Sequence, residues 1–290
     1  MPRLTVMMPA LNAASTIRSA LRSTLVALPQ DAELVVFDDA STDATVEAVL
    51  RVADPRVRVM QADASVGGGE ARRRVMNATD SEFVASMDAD DICYPWRFRT
   101  QIPMLAQSDI AFGSAIWFGR GLGELRFKSP TSMSSEESRI ALLFHCPFAH
   151  PSMVGRREAI ERSGGYSTMR RAQDYELWLR LAAGGARLSR TGRYVLGYRQ
   201  SDNQVNRQSD YREKVREDPT LWRSYRDLAL AVTGSAHWNV QSPDQIDDQT
   251  RTRMFAELAA LASRMGFVHR NRYHEYASKQ VATLIGPVKR

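Results

Sequence analysis

Four short apolar runs, each passing through polar residues into a segment with helical spacing, restrict what this chain can fold into. Leu4 to Met8 reads as a buried strand, after which Ser15 or Thr16 caps a helix with Ile17, Ala20, Leu21, Leu25 and Leu28 at helical positions. Glu33 to Phe37 reads as a second strand ending in Asp38 and Asp39, and Asp43 begins a helix carrying Val46, Val49 and Leu50 on one side. Val57 to Met60 is a third strand; Gly67, Gly68 and Gly69 open a helix holding Ala71, Val75 and Met76, and the next strand ends at Asp88. Alternation of this kind predicts an α/β fold, a Rossmann-like and mostly parallel sheet flanked by helices, with ligands bound beyond the carboxyl ends of the strands. Pro9 to Asn12, Asp38 and Asp39, Ser65 to Gly69, and Asp88 to Asp91 all fall at those ends, so one crevice can collect them.

The last of these groups carries the sharpest chemistry. Asp88, Asp90 and Asp91 repel one another, so at least one should hold a proton more tightly unless a divalent cation removes the conflict. The bland alternative is an acidic turn capping the next helix. Arg72 lies in the first turn after the three glycines, where a cation and free backbone N–H groups can face phosphate or nucleobase. Arg73 and Arg74 point about 100° and about 200° away around the helix. Near Asp174, helical spacing puts Asp174, Leu177, Trp178 and Leu181 on one stripe with Glu176 nearly opposite, so Asp174 heads the predicted buried side.

The chain has 290 residues, a formal charge of +6, 43% hydrophobic and 25% charged residues, which is the composition of an ordinary globular protein with one main domain. Its basic residues are spread along the whole length, with no zinc finger, RNA-binding signature or arginine stripe, which argues against nucleic acid. Cys93 and Cys146 fit neither a disulfide framework nor a zinc pattern, and the expected compartment is a reducing cytoplasm. Met1 to Pro9 reads as a strand rather than a secretion signal, and no run reaches ~18 apolar residues, so no membrane span is expected. From about residue 206 the alternation gives way to helix-like segments, one from roughly Arg212 to Val232 and another holding Met254, Phe255, Leu258, Leu261 and Ala262, then a basic tail. Packing on the main domain is the default for this extension; a homo-oligomer contact or peripheral contact with an anionic membrane, at its inner face, are the other uses.

The order and spacing of several pieces resemble the inverting glycosyltransferases of family 2, over roughly residues 3 to 205. The pieces are Pro9-Ala10-Leu11-Asn12, Phe37 through Asp43, Gly67 with Ala71 and Arg72, and Asp88-Ala89-Asp90-Asp91. Pro95 and Arg97, His150-Pro151-Ser152, Gly164-Gly165-Tyr166 and Asp174 through Arg180 complete the pattern. The resemblance implies a GT-A glycosyltransferase domain over residues 1–205 with a helical C-terminal extension over 206–290. It implies a metal-dependent enzyme that moves a sugar from a nucleotide-diphosphate donor, with UDP as carrier, to a hydroxyl acceptor, as in polysaccharide or glycoconjugate synthesis at the cell envelope. Acceptors of that kind are a glycan, a lipid-linked sugar or a small molecule. Pro9, Ala10, Asn12, Asp39, Arg72, Asp88 and Ala89 then fall at the nucleotide sugar, with Asp39 at the base or ribose and Asp88 facing ribose. Asp90 becomes the ligand of a manganese or magnesium ion, and Asp174 the general base.

Three positions depart from that pattern: Leu11 replaces an aromatic that follows the proline, Gln173 replaces a glutamate before the base, and Gln200 to Asn203 lack a histidine placed near metal or phosphate. These departures keep open a nucleotide-sugar-binding scaffold that has lost the chemistry. A sugar nucleotidyltransferase would need a phosphate loop that residues 9–14 do not supply, and a dinucleotide-binding oxidoreductase would need a different glycine spacing. His150, Tyr166 and Trp178 read as structural rather than catalytic.

Overall fold

Strand β1 (Leu4–Ala10) forms at the centre of the N-terminal half because its residues are apolar on both faces, and five of its first five positions are buried. The structure is a computed structural model that describes residues 1–119, 125–127, 130–200 and 218–265. In chain order, β1 is followed by α1 (Ile17–Ala27), β2 (Ala32–Asp38), α2 (Thr45–Leu50), β3 (Val57–Gln61), α3 (Gly68–Asn77) and β4 (Phe83–Ser86). Next come β5 (Ile92–Cys93), α4 (Arg97–Gln101), β6 (Ile110–Phe118), β7 (Arg126–Phe127), α5 (Ser135–Leu142), β8 (Val154–Arg156) and α6 (Arg157–Arg162). The described chain closes with α7 (Gln173–Ala183), β9 (Leu188–Arg199), α8 (Pro219–Thr233) and α9 (Asp248–Ser263).

One sheet runs β3-β2-β1-β4-β8-β6-β9-β5, with β7 paired to β6. β1, β2, β3 and β4 are parallel, β8 is antiparallel to both β4 and β6, and β6 and β9 are parallel again. The α/β class predicted from sequence is therefore observed, with antiparallel β8 restoring one direction to the two halves. Register brings the strand ends level: Ala10 lies opposite Asp38, and Asp38 opposite Gln61.

Residues alternate strictly between the two faces. Met7, Val35, Phe37 and Val84 pack into one core with α3, α5, α7, α8 and α9, whereas Val6, Met8, Leu34, Val36 and Ala85 pack into a second core with α1 and α4. The C-terminal helices are thus part of the main core. Asp218 caps α8 by accepting from the Thr220 and Leu221 N–H groups, and Tyr225 donates to the Leu143 carbonyl at 2.9 Å. The segment 206–217 at the start of the predicted Arg212 helix, the Ser201 to Asn203 positions and the basic tail lie outside the described residues.

Local details differ from the sequence reading for physical reasons. Thr16 occupies the cap position of α1 but spends its hydroxyl on the Ala13 carbonyl, so it makes no side-chain cap. Leu50 is 64% exposed, since α2 is only six residues long and Thr45 and Val49 already bury its inner side. Glu176, expected opposite the buried stripe of α7, is 1% exposed because α8 covers that outer face. It accepts from Ser224 at 2.8 Å and pairs with Arg180, whose guanidinium also bonds the Ser163 and Gly165 carbonyls.

Gly113 in β6 allows β9 to approach closely: a Cβ there would sit 2.2 Å from Val195 Cγ2. Gly113→Ala should therefore lower unfolding stability by about 1–3 kcal/mol through overpacking, read as an earlier urea midpoint. An unchanged midpoint would show that this strand pair is looser than described.

Candidate functional site

The β1 and β2 ends are tied together before any ligand is considered. The Asp39 N–H donates to the Ala10 carbonyl at 2.8 Å, and the Asn12 side-chain oxygen accepts from the Thr42 N–H at 2.8 Å. Asn12 adopts φ 49°, a left-handed conformation that asparagine tolerates better than most residues. Pro9 is partly buried, Ala10 is buried, and Leu11 is 50% exposed, so no aromatic ring stands at that lip.

Asp39 is not a helix cap. Asp43 serves the start of α2, accepting from Thr45 N–H at 3.0 Å. The buried Asp39 carboxylate instead accepts from Val66 N–H at 2.7 Å, Gly67 N–H at 3.0 Å and Ser65 Oγ at 2.8 Å. It fixes the loop that feeds α3. Gly67 takes φ 87° there, a region open to glycine.

Arg72 is 4% exposed and does not belong to a solvated basic face. Its Nε donates to Ser86 Oγ at 2.9 Å, Nη1 to the Gly68 carbonyl at 3.0 Å and Nη2 to Asp88 Oδ1 at 2.6 Å. Arg73 and Arg74 pair with Glu70 at the surface, so only one of the three arginines turns inward. Glycine at 69 is needed for another reason: a Cβ would stand 3.0 Å from Gln173 Cγ, at the first residue of α7. The starts of α3 and α7 are in contact.

The acidic segment shows the predicted conflict. Burial, then the Asp88 charge, pushes Asp90 up to about 6. Burial, then Asp88 and Asp90, pushes Asp91 well above the usual carboxylate range. Asp91 is 1% exposed; its Oδ1 accepts from Arg199 N–H at 2.7 Å, and its Oδ2 has no hydrogen-bond partner among the described residues. Arg199 Nε donates to the Asp90 carbonyl at 2.7 Å, which clamps β9 to the segment. Beneath it, the fully buried Arg97 donates to the Ser86 and Met153 carbonyls at 2.7 and 3.1 Å, locking β4 to the chain before β8. Ala89 is buried between the acids.

These carboxylates suit a divalent hard cation in kind. Among the described residues no three His, Cys, Asp or Glu side chains form a metal-holding group. One or two carboxylates completed by substrate phosphates is, however, the ordinary arrangement for magnesium on a nucleotide, and the raised proton affinity of Asp90 is the mark of a site lacking a counter-charge. The fit rests on Asp90 and Asp88.

Asp174 is the second residue of α7 and partly buried. Burial raises its proton affinity, while the α7 backbone N–H groups and Arg72 oppose that and Asp88 adds to it. The Tyr198 phenol is raised by burial and then by Asp88, Asp91, Asp90 and Asp174, which brings all four acids into one electrostatic neighbourhood. His150 and Tyr166 pair at 2.9 Å behind it, with His150 edge-on to Trp178 at 5.5 Å; all three are core residues. Ser86, Tyr198 and Arg199 were not singled out from sequence. The arginine directly preceding Gln200, at the end of its strand, was the available signal for the last.

Comparison with known proteins bears on the family and the fold. The sequence model of Glycosyl transferase family 2 matches residues 5–164, more than half of the chain. An uncharacterized glycosyltransferase of Haemophilus influenzae is 25% identical over 215 residues, covering 72% of this chain and 78% of that protein. The Escherichia coli UDP-Glc:alpha-D-GlcNAc-diphosphoundecaprenol beta-1,3-glucosyltransferase WfgD is 31% identical over 109 residues, 38% of this chain and 43% of that one. The crystal structure of S. aureus TarS 1-349 in complex with UDP-GlcNAc superposes with a TM-score of 0.65 at 14% identity, over 98% of this chain and 90% of that one, a likeness of fold.

Because Asp90 is raised from 3.8 to about 6, the folded state keeps a proton that the unfolded chain releases. Its contribution to stability is full below the unfolded value and is lost as pH rises through about 6. In chelator-containing buffer, Asp90→Asn should therefore show a shallower fall in thermal midpoint across that window than the parent protein. Identical slopes would contradict the assignment.

Proposed function

The chain belongs to glycosyl transferase family 2, and from that premise we propose that it moves a sugar from a UDP-linked donor to a hydroxyl acceptor with inversion at the anomeric carbon. The product would be a cell-envelope polysaccharide or glycoconjugate. One observation carries this reading: Asp174 lies in the field of the Arg72–Asp88 pair and its proton affinity is raised by burial. Such a shift moves a carboxylate towards the range in which a general base works at neutral pH.

In the proposed reaction, Asp174 takes the proton of the acceptor hydroxyl as its oxygen bonds to the anomeric carbon. The bond from that carbon to the donor's diphosphate oxygen breaks on the opposite face, and UDP departs with the electron pair. Asp90, with Asp88 beside it, would hold a manganese or magnesium ion, which when bound supplies Lewis-acid stabilisation of charge on the diphosphate. Arg72 acts by orienting Asp88 towards the ribose rather than as a free phosphate cation, since its guanidinium is already engaged. Asp39 holds the Ser65–Gly67 loop and, with Pro9, Ala10, Asn12 and Ala89, shapes the wall against which the nucleotide lies. The name of the E. coli relative and the UDP-GlcNAc in the TarS complex favour UDP as carrier, and the former favours a lipid-linked glycan as acceptor. Among the described residues no helix is long and apolar enough to cross a membrane. The domain division proposed with this function is catalytic residues 1–205 and a helical extension 206–290.

Asp174→Asn should keep binding UDP-sugars with manganese, scored by thermal shift, while UDP release falls by about 10²–10⁴-fold. Near-normal turnover in the variant would exclude Asp174 as the base. Donor binding with no turnover in the unaltered protein would favour the scaffold reading.

A further inference from the structure

At the β5 edge of the sheet lies a pocket of about 440 Å³ lined by Trp96, Arg99, Gly192, Arg193 and Tyr194. We propose that this pocket is a subsite for an anionic segment of a glycan, such as a uronate or phosphate-bearing sugar in the acceptor chain. The inference rests on the transferase reading for its place in the reaction, but on separate residues for its binding chemistry. None of its lining residues belongs to the acidic crevice.

Three features carry it. First, the rings are pre-set: the Trp96 indole N–H donates to the Tyr194 carbonyl at 2.7 Å, and Tyr94 lies 5.4 Å away, centroid to centroid, in a tilted arrangement. Fixed, partly exposed aromatic rings offer an apolar surface to the C–H face of a pyranose at small entropic cost. Second, Arg99 and Arg193 are exposed, and neither side chain has an acidic partner among the described residues. Guanidinium groups without counter-charges beside a sugar platform suit carboxylate or phosphate, which they can bind bidentately.

Third, the location fits a chain that reaches the crevice. β9 runs from Tyr194 to Arg199, where it is clamped to Asp90 and Asp91. Five residues of strand span about 16 Å, a distance an oligosaccharide covers and a monosaccharide does not. Its volume falls in the range of small-ligand clefts.

The test is calorimetric titration of the full chain with an oligogalacturonate and, separately, with a neutral malto-oligosaccharide of equal length. The same samples are scored for UDP-sugar binding by thermal shift. The expected result is oligogalacturonate binding that weakens about tenfold or more in Arg99→Gln/Arg193→Gln, with weaker binding of the neutral chain and unchanged donor binding. Equal oligogalacturonate affinity in parent and variant, or none in the parent, would overturn the proposal while leaving the transferase reading intact. Oligogalacturonate binding that depends on the two arginines but comes without any donor binding would support the pocket and count against the transferase reading. Binding of the parent to anionic vesicles, with none to oligogalacturonate, would assign the patch to a membrane and overturn the proposal.

Discussion

The crevice depends on an ion pair whose arginine is buried. Arg72 and Asp88 meet at 2.6 Å, with the arginine side chain almost wholly removed from water. A charge so placed stays only if its donors are satisfied, and Ser86 and the Gly68 carbonyl take those that Asp88 leaves. That requirement fixes the start of α3 against the end of β4. It also explains Gly69, because α3 can press against Gln173 of α7 only where a side chain is absent at that position. Pairs of this kind add little net stability compared with apolar packing, but removing one partner strands the other. Their contribution here is position.

Around that pair the structure arranges charge in opposition. Asp88, Asp90 and Asp91 crowd together with Arg97 beneath and Arg199 alongside, and burial first, then their mutual repulsion, raises the proton affinities of Asp90 and Asp91. Such concentration lowers stability in the absence of a counter-ion, which is the usual sign of a site kept for binding rather than for folding. Asp174 approaches the same neighbourhood from α7, carried by a helix whose outer face is sealed by the Glu176–Arg180–Ser224 network. The C-terminal helices therefore help set where Asp174 sits.

Much of this was legible in the chain itself, because short continuous apolar runs and polar strand ends are local signals. β1 to β4 and α1 to α3 follow from spacing alone. What was not legible came from contacts made across the fold. Glu176 looked solvent-facing on a lone helix and is buried because α8 lies over it. Asp39 also holds residues 65–67, a partnership set by how two loops meet. Antiparallel β8, three residues long, sits between β4 and β6 without a periodic signature of its own. The part played by Ser201 to Asn203 lies outside the described residues.

The central claim is that nucleotide, acids and base share one crevice. A crystal structure of the protein with UDP and manganese tests it most directly. The account predicts the uridine beside the Asp39-held loop, the diphosphate at Asp88 and Asp90 with the metal between, and Asp174 facing the space beyond the second phosphate. Nucleotide bound elsewhere, with Asp90 and Asp174 opening onto separate cavities, would contradict it.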